Sequence, residues 1–99
     1  MKLVRDKIPN IIRESGRECI THIAKDDEYR ARLYEKLCEE IAEFIETPCE
    51  EEAADIYEVL RALCLEHALS MESVENVAME KRATRGGFLD RVVLEKVVD

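Results

Sequence analysis

No stretch of this 99-residue chain approaches the ~20 consecutive apolar positions that a membrane-crossing helix needs, so no membrane association is expected. The opening Met1-Lys2-Leu3-Val4-Arg5-Asp6 lacks the pattern of a signal peptide, which points to a cytoplasmic protein. Cys19, Cys38, Cys49 and Cys64 form no Cys-x-x-Cys pair and no Cys/His cluster, which leaves structural zinc without support. Without a secretion signal a disulfide framework is not expected either, and the thiols read as reduced and mostly packed. There is no internal repeat and no low-complexity linker, so residues 1–99 are read as one domain. A net charge of −8 lacks the basic footprint of a nucleic-acid backbone binder. Apolar residues at 46% and charged residues at 38% argue against a disordered chain.

What the chain does have is charge sorted along its length. Residues 35–58 hold ten acids (Glu35, Glu39, Glu40, Glu43, Glu46, Glu50, Glu51, Glu52, Asp55 and Glu58) against Lys36. The first seventeen residues carry Lys2, Arg5, Lys7, Arg13 and Arg17 against Asp6 and Glu14, and residues 81–91 carry Lys81, Arg82, Arg85 and Arg91 against Asp90. An acidic middle thus lies between two basic ends. Such a run is usually a solvated helical face. The functional alternative is a cation site whose bound anion is gripped by the basic ends.

Helix punctuation predicts an all-α fold of antiparallel helices. Asp26 or Asp27 is suited to cap a helix over 27–46. Thr47-Pro48-Cys49-Glu50 reads as a capping box opening a helix over 48–68. Ser70 caps a third over 71–85, stopped by Gly86-Gly87. A short helix is expected over 7–15, with Pro9 in its first turn and Gly16 as its stop. Residues 18–23 and the valine-rich stretch 88–98 read as extended, giving a small β element near the C-terminus. At 99 residues the core is thin, so self-association into a homo-oligomer is expected.

Helical phase, at about 100° per residue, separates the unusual acids from the ordinary ones. With Leu33 at zero, Leu37, Ile41, Phe44 and Ile45 form a stripe between about 20° and 120°. Glu40 falls at its edge, near 340°, with Glu43 and Lys36 close by at about 280–300°, while Glu35, Glu39 and Glu46 face solvent. On the next helix Glu52 falls inside the stripe of Ile56, Val59, Leu60 and Leu63, Asp55 borders it, and Glu51 and Glu58 lie opposite. A carboxylate on a core-facing position is costly unless it is paired or binds metal. Glu40-x-x-Glu43 and Glu52-x-x-Asp55 flank a short connection, so the four groups are able to converge across neighbouring helices. An all-oxygen set suits Mg²⁺ or Mn²⁺.

A di-iron bundle would place Glu three residues before His, but cysteine precedes both His22 and His67 at that spacing. His67 falls within the apolar stripe and reads as a core histidine with a satisfied hydrogen bond.

Lys36-Leu37-Cys38-Glu39-Glu40-Ile41-Ala42-Glu43, followed by Glu51-Glu52-Ala53-Ala54-Asp55-Ile56, resembles the E-x-x-E…E-x-x-D signature of the MazG-like all-α nucleoside triphosphate pyrophosphohydrolases. Lys2-Leu3-Val4-Arg5-Asp6-Lys7-Ile8-Pro9 and Lys81…Arg85-Gly86-Gly87-Phe88 are similar to the small phosphoribosyl-ATP pyrophosphohydrolase-like branch. The resemblance implies Mg²⁺-dependent cleavage between the α and β phosphates, releasing a nucleoside monophosphate and pyrophosphate. It implies a dimer or tetramer, with Glu40, Glu43, Glu52 and Asp55 as metal ligands. The substrate does not transfer; clearance of non-standard nucleotides is one role within the family.

The residues suit that chemistry. Bound cations would reverse the sign of an all-carboxylate site that otherwise repels a triphosphate. Arg5, Lys7, Lys81 and Arg85 would hold outer phosphates. Lys36 either joins them or neutralises its neighbours through i, i+4 pairing. Glu39 and Glu43 are the candidates for general base. The alternative reading is a non-catalytic acidic helical module that docks a basic partner, which explains the charge but not the core-facing phase of Glu52.

Overall fold

The computed structural model describes residues 1–98, and among them every regular element is a helix: α1 (Ile8–Glu14), α2 (Asp26–Glu46), α3 (Glu50–Glu66) and α4 (Met71–Arg85). None is long and apolar enough to cross a membrane. The chain divides into two compact units, Met1–Ala68 and a second from Leu69 onward, where the sequence reading drew no boundary. The break falls at a site without glycine or proline. Ala68 ends the α3 turn at φ +56°, a left-handed conformation that side chains other than glycine's seldom adopt.

In the first unit α2 and α3 are joined by residues 47–49 and fold back as a hairpin. The pairings fix the antiparallel sense: Arg30 meets Glu66 and Tyr34 meets His67 at one end, while Glu40 meets Asp55 and Glu52 near the turn. Leu33, Val59 and Leu63 are buried between the helices, with Leu3, Tyr29, Leu37 and Ala62 packed around them. Leu33, set as phase zero, is 2% exposed. The stripe frays toward the turn, where Ile41 and Ile45 are exposed, because the second helix covers only part of the predicted face.

The helix starts differ from expectation in two places, the caps expected of Thr47 and of Asp26 or Asp27. Thr47 is the C-cap of α2, not the N-cap of the next helix, and α3 starts two residues late, after an extended Cys49 with no side-chain cap. Thr47 N–H donates to the Glu43 carbonyl at 2.9 Å, so the preceding helix claims the residue the capping box needs. Lys25 precedes α2, again without a side-chain cap, while Asp26, Asp27 and Glu28 occupy its first turn, where acids favour the positive dipole end.

In the second unit Ser70 caps α4 as expected, its hydroxyl accepting from Ser73 N–H at 3.2 Å, and Gly86 ends the helix at φ +82°. The two expected β segments form no strand among the described residues. Ile20 and Ile23 in the first segment and Phe88, Leu89, Val92 and Val93 in the second are almost wholly exposed. β-branched residues favour extended backbone, but a strand exists only when another strand takes its N–H and C=O groups, and none is offered here.

The thiols are free, yet only Cys64 is buried; Cys38 is exposed and the other two are intermediate. His67 is also exposed, contrary to its predicted core position, because α3 ends just before it. Its expected hydrogen bond is present, to the Tyr34 hydroxyl at 2.7 Å.

Candidate metal centre and adjoining cavity

Glu40 of α2 and Glu52 and Asp55 of α3 bring one carboxylate oxygen each within 4.8 Å of one another. Glu40 is buried and the other two are half-buried. The geometry follows from the hairpin: residues three apart on α3 share a face, and the short connection sets that face against the stripe edge of α2.

Two of the three acids are already paired. Lys36 Nζ lies 3.3 Å from Glu40 and 3.6 Å from Glu39, one helical turn away. Arg5 reaches from the N-terminal segment to donate to Asp55 at 2.6 Å. Among the described residues no cation pairs with Glu52. Burial first, then the charges of Asp55, Glu43, Glu40 and Glu51, push its carboxyl above the ordinary carboxylate range. A carboxylate set crowded enough to raise one member's pKa is what a divalent cation relieves, and the group contains no nitrogen or sulfur donor. The donor chemistry therefore fits Mg²⁺ or Mn²⁺.

Glu43, the fourth expected ligand, stands outside the converging trio. It is exposed, one turn from Glu40, and acts on Glu52 through its charge. Among like charges a solvated side chain turns toward water rather than inward. Glu39 is held by Lys36. Lys7 is exposed at the foot of α1, and Lys81 and Arg85 are exposed on α4 in the second unit.

Beside the trio opens a cavity of about 690 Å³ between the N-terminal segment, α1 and the α2–α3 hairpin. Arg5, Lys7, Lys36, Glu40 and Asp55 belong to its wall, so it is continuous with the carboxylates and takes in one more of the expected cations. The rest is largely apolar, including Ile8, Ile11, Tyr29, Val59 and Leu65. Sequence reasoning missed this wall, although phase held one signal: Tyr29 falls near 320° on α2, beside Glu40. Glu58, assigned to the solvent side, is half-buried and also lines the cavity, because the N-terminal segment covers that flank of α3.

No family model and no solved structure matches the chain significantly. The chain is similar to a protein of Mycolicibacterium smegmatis (strain ATCC 700084 / mc(2)155) described as uncharacterized, 55% identical over 42 residues. That match spans 42% of this chain and 43% of the relative, less than half of either.

Proposed function

We propose that this chain is a Mg²⁺-dependent nucleoside triphosphate pyrophosphohydrolase of the MazG-like type, cleaving between the α and β phosphates. The observation that carries the reading is the meeting of Glu40, Glu52 and Asp55 across two helices, with no cation paired to Glu52 among the described residues. These three would hold the ion, with Glu43 available as a fourth ligand. When bound, Mg²⁺ (or Mn²⁺) polarises phosphoryl oxygens and lowers the pKa of water.

The chain's own groups supply the rest. Lys36 and Arg5 neutralise Glu40 and Asp55, which lets acids accumulate without unfolding the hairpin. Arg5 spends one N–H on Asp55 and has further donors for a phosphate oxygen. Lys7, Lys81 and Arg85 are the remaining phosphate contacts in this reading. Glu43, solvated beside Glu52, is suited to take the proton of the attacking water; Glu39, tied to Lys36, is the second candidate.

The functional form in this reading is a dimer or tetramer. The exposed Phe88, Leu89, Val92 and Val93 support it, since apolar side chains in one segment favour burial against a second copy, where 88–98 would gain the pairing it lacks. A monomer by light scattering at micromolar concentration would remove the assembly from this reading.

The test is pyrophosphate release from a panel of normal and modified nucleoside triphosphates, with and without Mg²⁺. Monophosphate and pyrophosphate in equal amounts, only with the metal, are expected. No release from any member would leave the acidic module that docks a basic partner as the better reading.

A further inference from the structure

We propose that residues 92–98 of a second copy add as a strand to residues 19–24, each chain's tail closing a groove in its partner. The proposal rests on the homo-oligomer of the reading above, not on its chemistry, and names the surfaces that meet.

The first observation is unused backbone on both sides. Among the described residues no backbone N–H or C=O of 18–24 or of 92–98 takes a backbone partner. Ile20 and Ile23 stand almost wholly exposed, and Val92, Val93, Leu94, Val97 and Val98 are 76–85% exposed, so one chain leaves both segments uncovered. The second observation is the groove. Residues 19–24 form one wall of a cavity of about 640 Å³ whose other walls are the N-terminal segment, α1 and the start of α2. Its lining is largely apolar, including Val4, Pro9 and Ile12. A backbone edge beside apolar pockets lets an added strand gain hydrogen bonds and side-chain contacts together.

The third observation is how well the two sequences match. Arg91 N–H donates to the Phe88 carbonyl at 3.2 Å and Arg91 sits at φ +61°, so residues 88–91 turn and the stretch left to pair starts at Val92. Cys19-Ile20-Thr21-His22-Ile23-Ala24 and Val93-Leu94-Glu95-Lys96-Val97-Val98 then share one pattern, two apolar, two polar, two apolar. Set antiparallel, Ile20 lies opposite Val97 and Ile23 opposite Leu94, while His22 faces Glu95 and Thr21 faces Lys96. His22 engages Glu28 through Nε2 at 2.9 Å, which leaves Nδ1 for Glu95. Set parallel, His22 would face Lys96. A slip of one or two residues either way puts Glu95 or Lys96 opposite Ile20 or Ile23. Charge complementarity thus selects one direction and one register.

A second copy is the occupant that carries this sequence, and exchange of two identical tails closes a two-fold dimer. The groove shares Leu3, Val4, Arg5, Asp6 and Ile8 with the cavity beside the carboxylates. A seated tail therefore backs the segment that brings Arg5 to Asp55.

The experiment is light scattering of the full chain at micromolar concentration, on wild type, Ile20→Glu, Val97→Lys and an equal mixture of the two variants. Ile20 is 102% exposed and Val97 78%, so neither change disturbs the folded chain. Wild type should show twice the chain mass. Each variant alone sets a charge opposite an apolar side chain and should dimerise at least about tenfold more weakly. The mixture should return to twice the chain mass, because one contact is unaltered and the other pairs Glu with Lys. Single variants that dimerise like wild type, or a mixture that stays as monomeric as its parts, would overturn this interface and leave the assembly standing on another surface. A monomeric wild type would overturn both, while the cleavage chemistry would still be decided by pyrophosphate release.

Discussion

The two units of this chain reach helical structure by different routes. In Met1–Ala68, α2 and α3 begin without side-chain caps and are held by what lies between them: Leu33, Val59 and Leu63 are buried, and Glu40 beside them. In the second unit α4 has a serine cap and a glycine stop but contains no buried residue. Local chemistry suffices to start and end a helix, whereas only a packed partner helix forces carboxylates together. The three carboxylates that meet at one point accordingly all belong to the first unit.

The comparison would break first at the core. Leu33→Ala should cost about 2–5 kcal/mol, because it leaves a cavity between two helices. Val77→Ala, half-exposed on α4, should stay within about 0.5 kcal/mol. Denaturant unfolding of both variants measures this, and equal losses would mean that α4 is as tightly packed as the hairpin.

A second contrast concerns the cations. Alanine at Lys7, Lys81 or Arg85 should raise KM or lower kcat by about tenfold, the scale of one charge-assisted contact, and leave Mn²⁺ affinity unchanged. Arg5→Ala should cost a similar factor in kcat/KM yet tighten Mn²⁺ binding, since Arg5 holds Asp55 at 2.6 Å. Electron paramagnetic titration of Mn²⁺ separates the two behaviours. Four identical responses would show that the Arg5–Asp55 pair has no bearing on the metal.

Capping gives a smaller difference of opposite sign. Ser70→Ala should destabilise α4 by about 1 kcal/mol, whereas Cys49→Ser, at an extended residue that now lacks a cap, should stabilise α3 by about 0.5–1 kcal/mol. Thermal melts of both would test it.

The uneven success of sequence reasoning follows the same division. Ser70 and Gly86 were legible because a cap and a left-handed stop depend on nearest neighbours. Phase picked out Glu40, Glu52 and Asp55 because their faces are set by one helix each. Glu43 and Glu58 went otherwise: one turns to solvent beside like charges, the other is half-covered at the cavity wall, and both outcomes depend on non-local geometry. The same holds for the Arg5–Asp55 bond, between residues 50 apart in sequence. The valines of 88–98 gave a propensity, but propensity does not supply a second strand.

The smallest effect expected is on stability alone. Glu52 has its folded pKa raised above the ordinary 4.5, so on going up in pH the unfolded chain loses this proton first and folding is disfavoured. Glu52→Gln should therefore melt higher than wild type at pH 7 without metal, with the gain disappearing below about pH 4, where the carboxyl is protonated in both states.

The same substitution, read by turnover, tests the central claim most directly. Pyrophosphate release by wild type, Glu52→Gln and Glu46→Gln should be followed with Mg²⁺ and with chelator, Glu46 being an exposed acid at the end of α2. Loss of a metal ligand should lower kcat/KM of Glu52→Gln by on the order of 10²-fold or more, with a folded protein and weakened Mg²⁺ binding. Glu46→Gln should stay within about twofold of wild type, as surface substitutions do. Equal and small effects of the two, or release that continues undiminished in chelator, would contradict a metal centre at Glu40, Glu52 and Asp55.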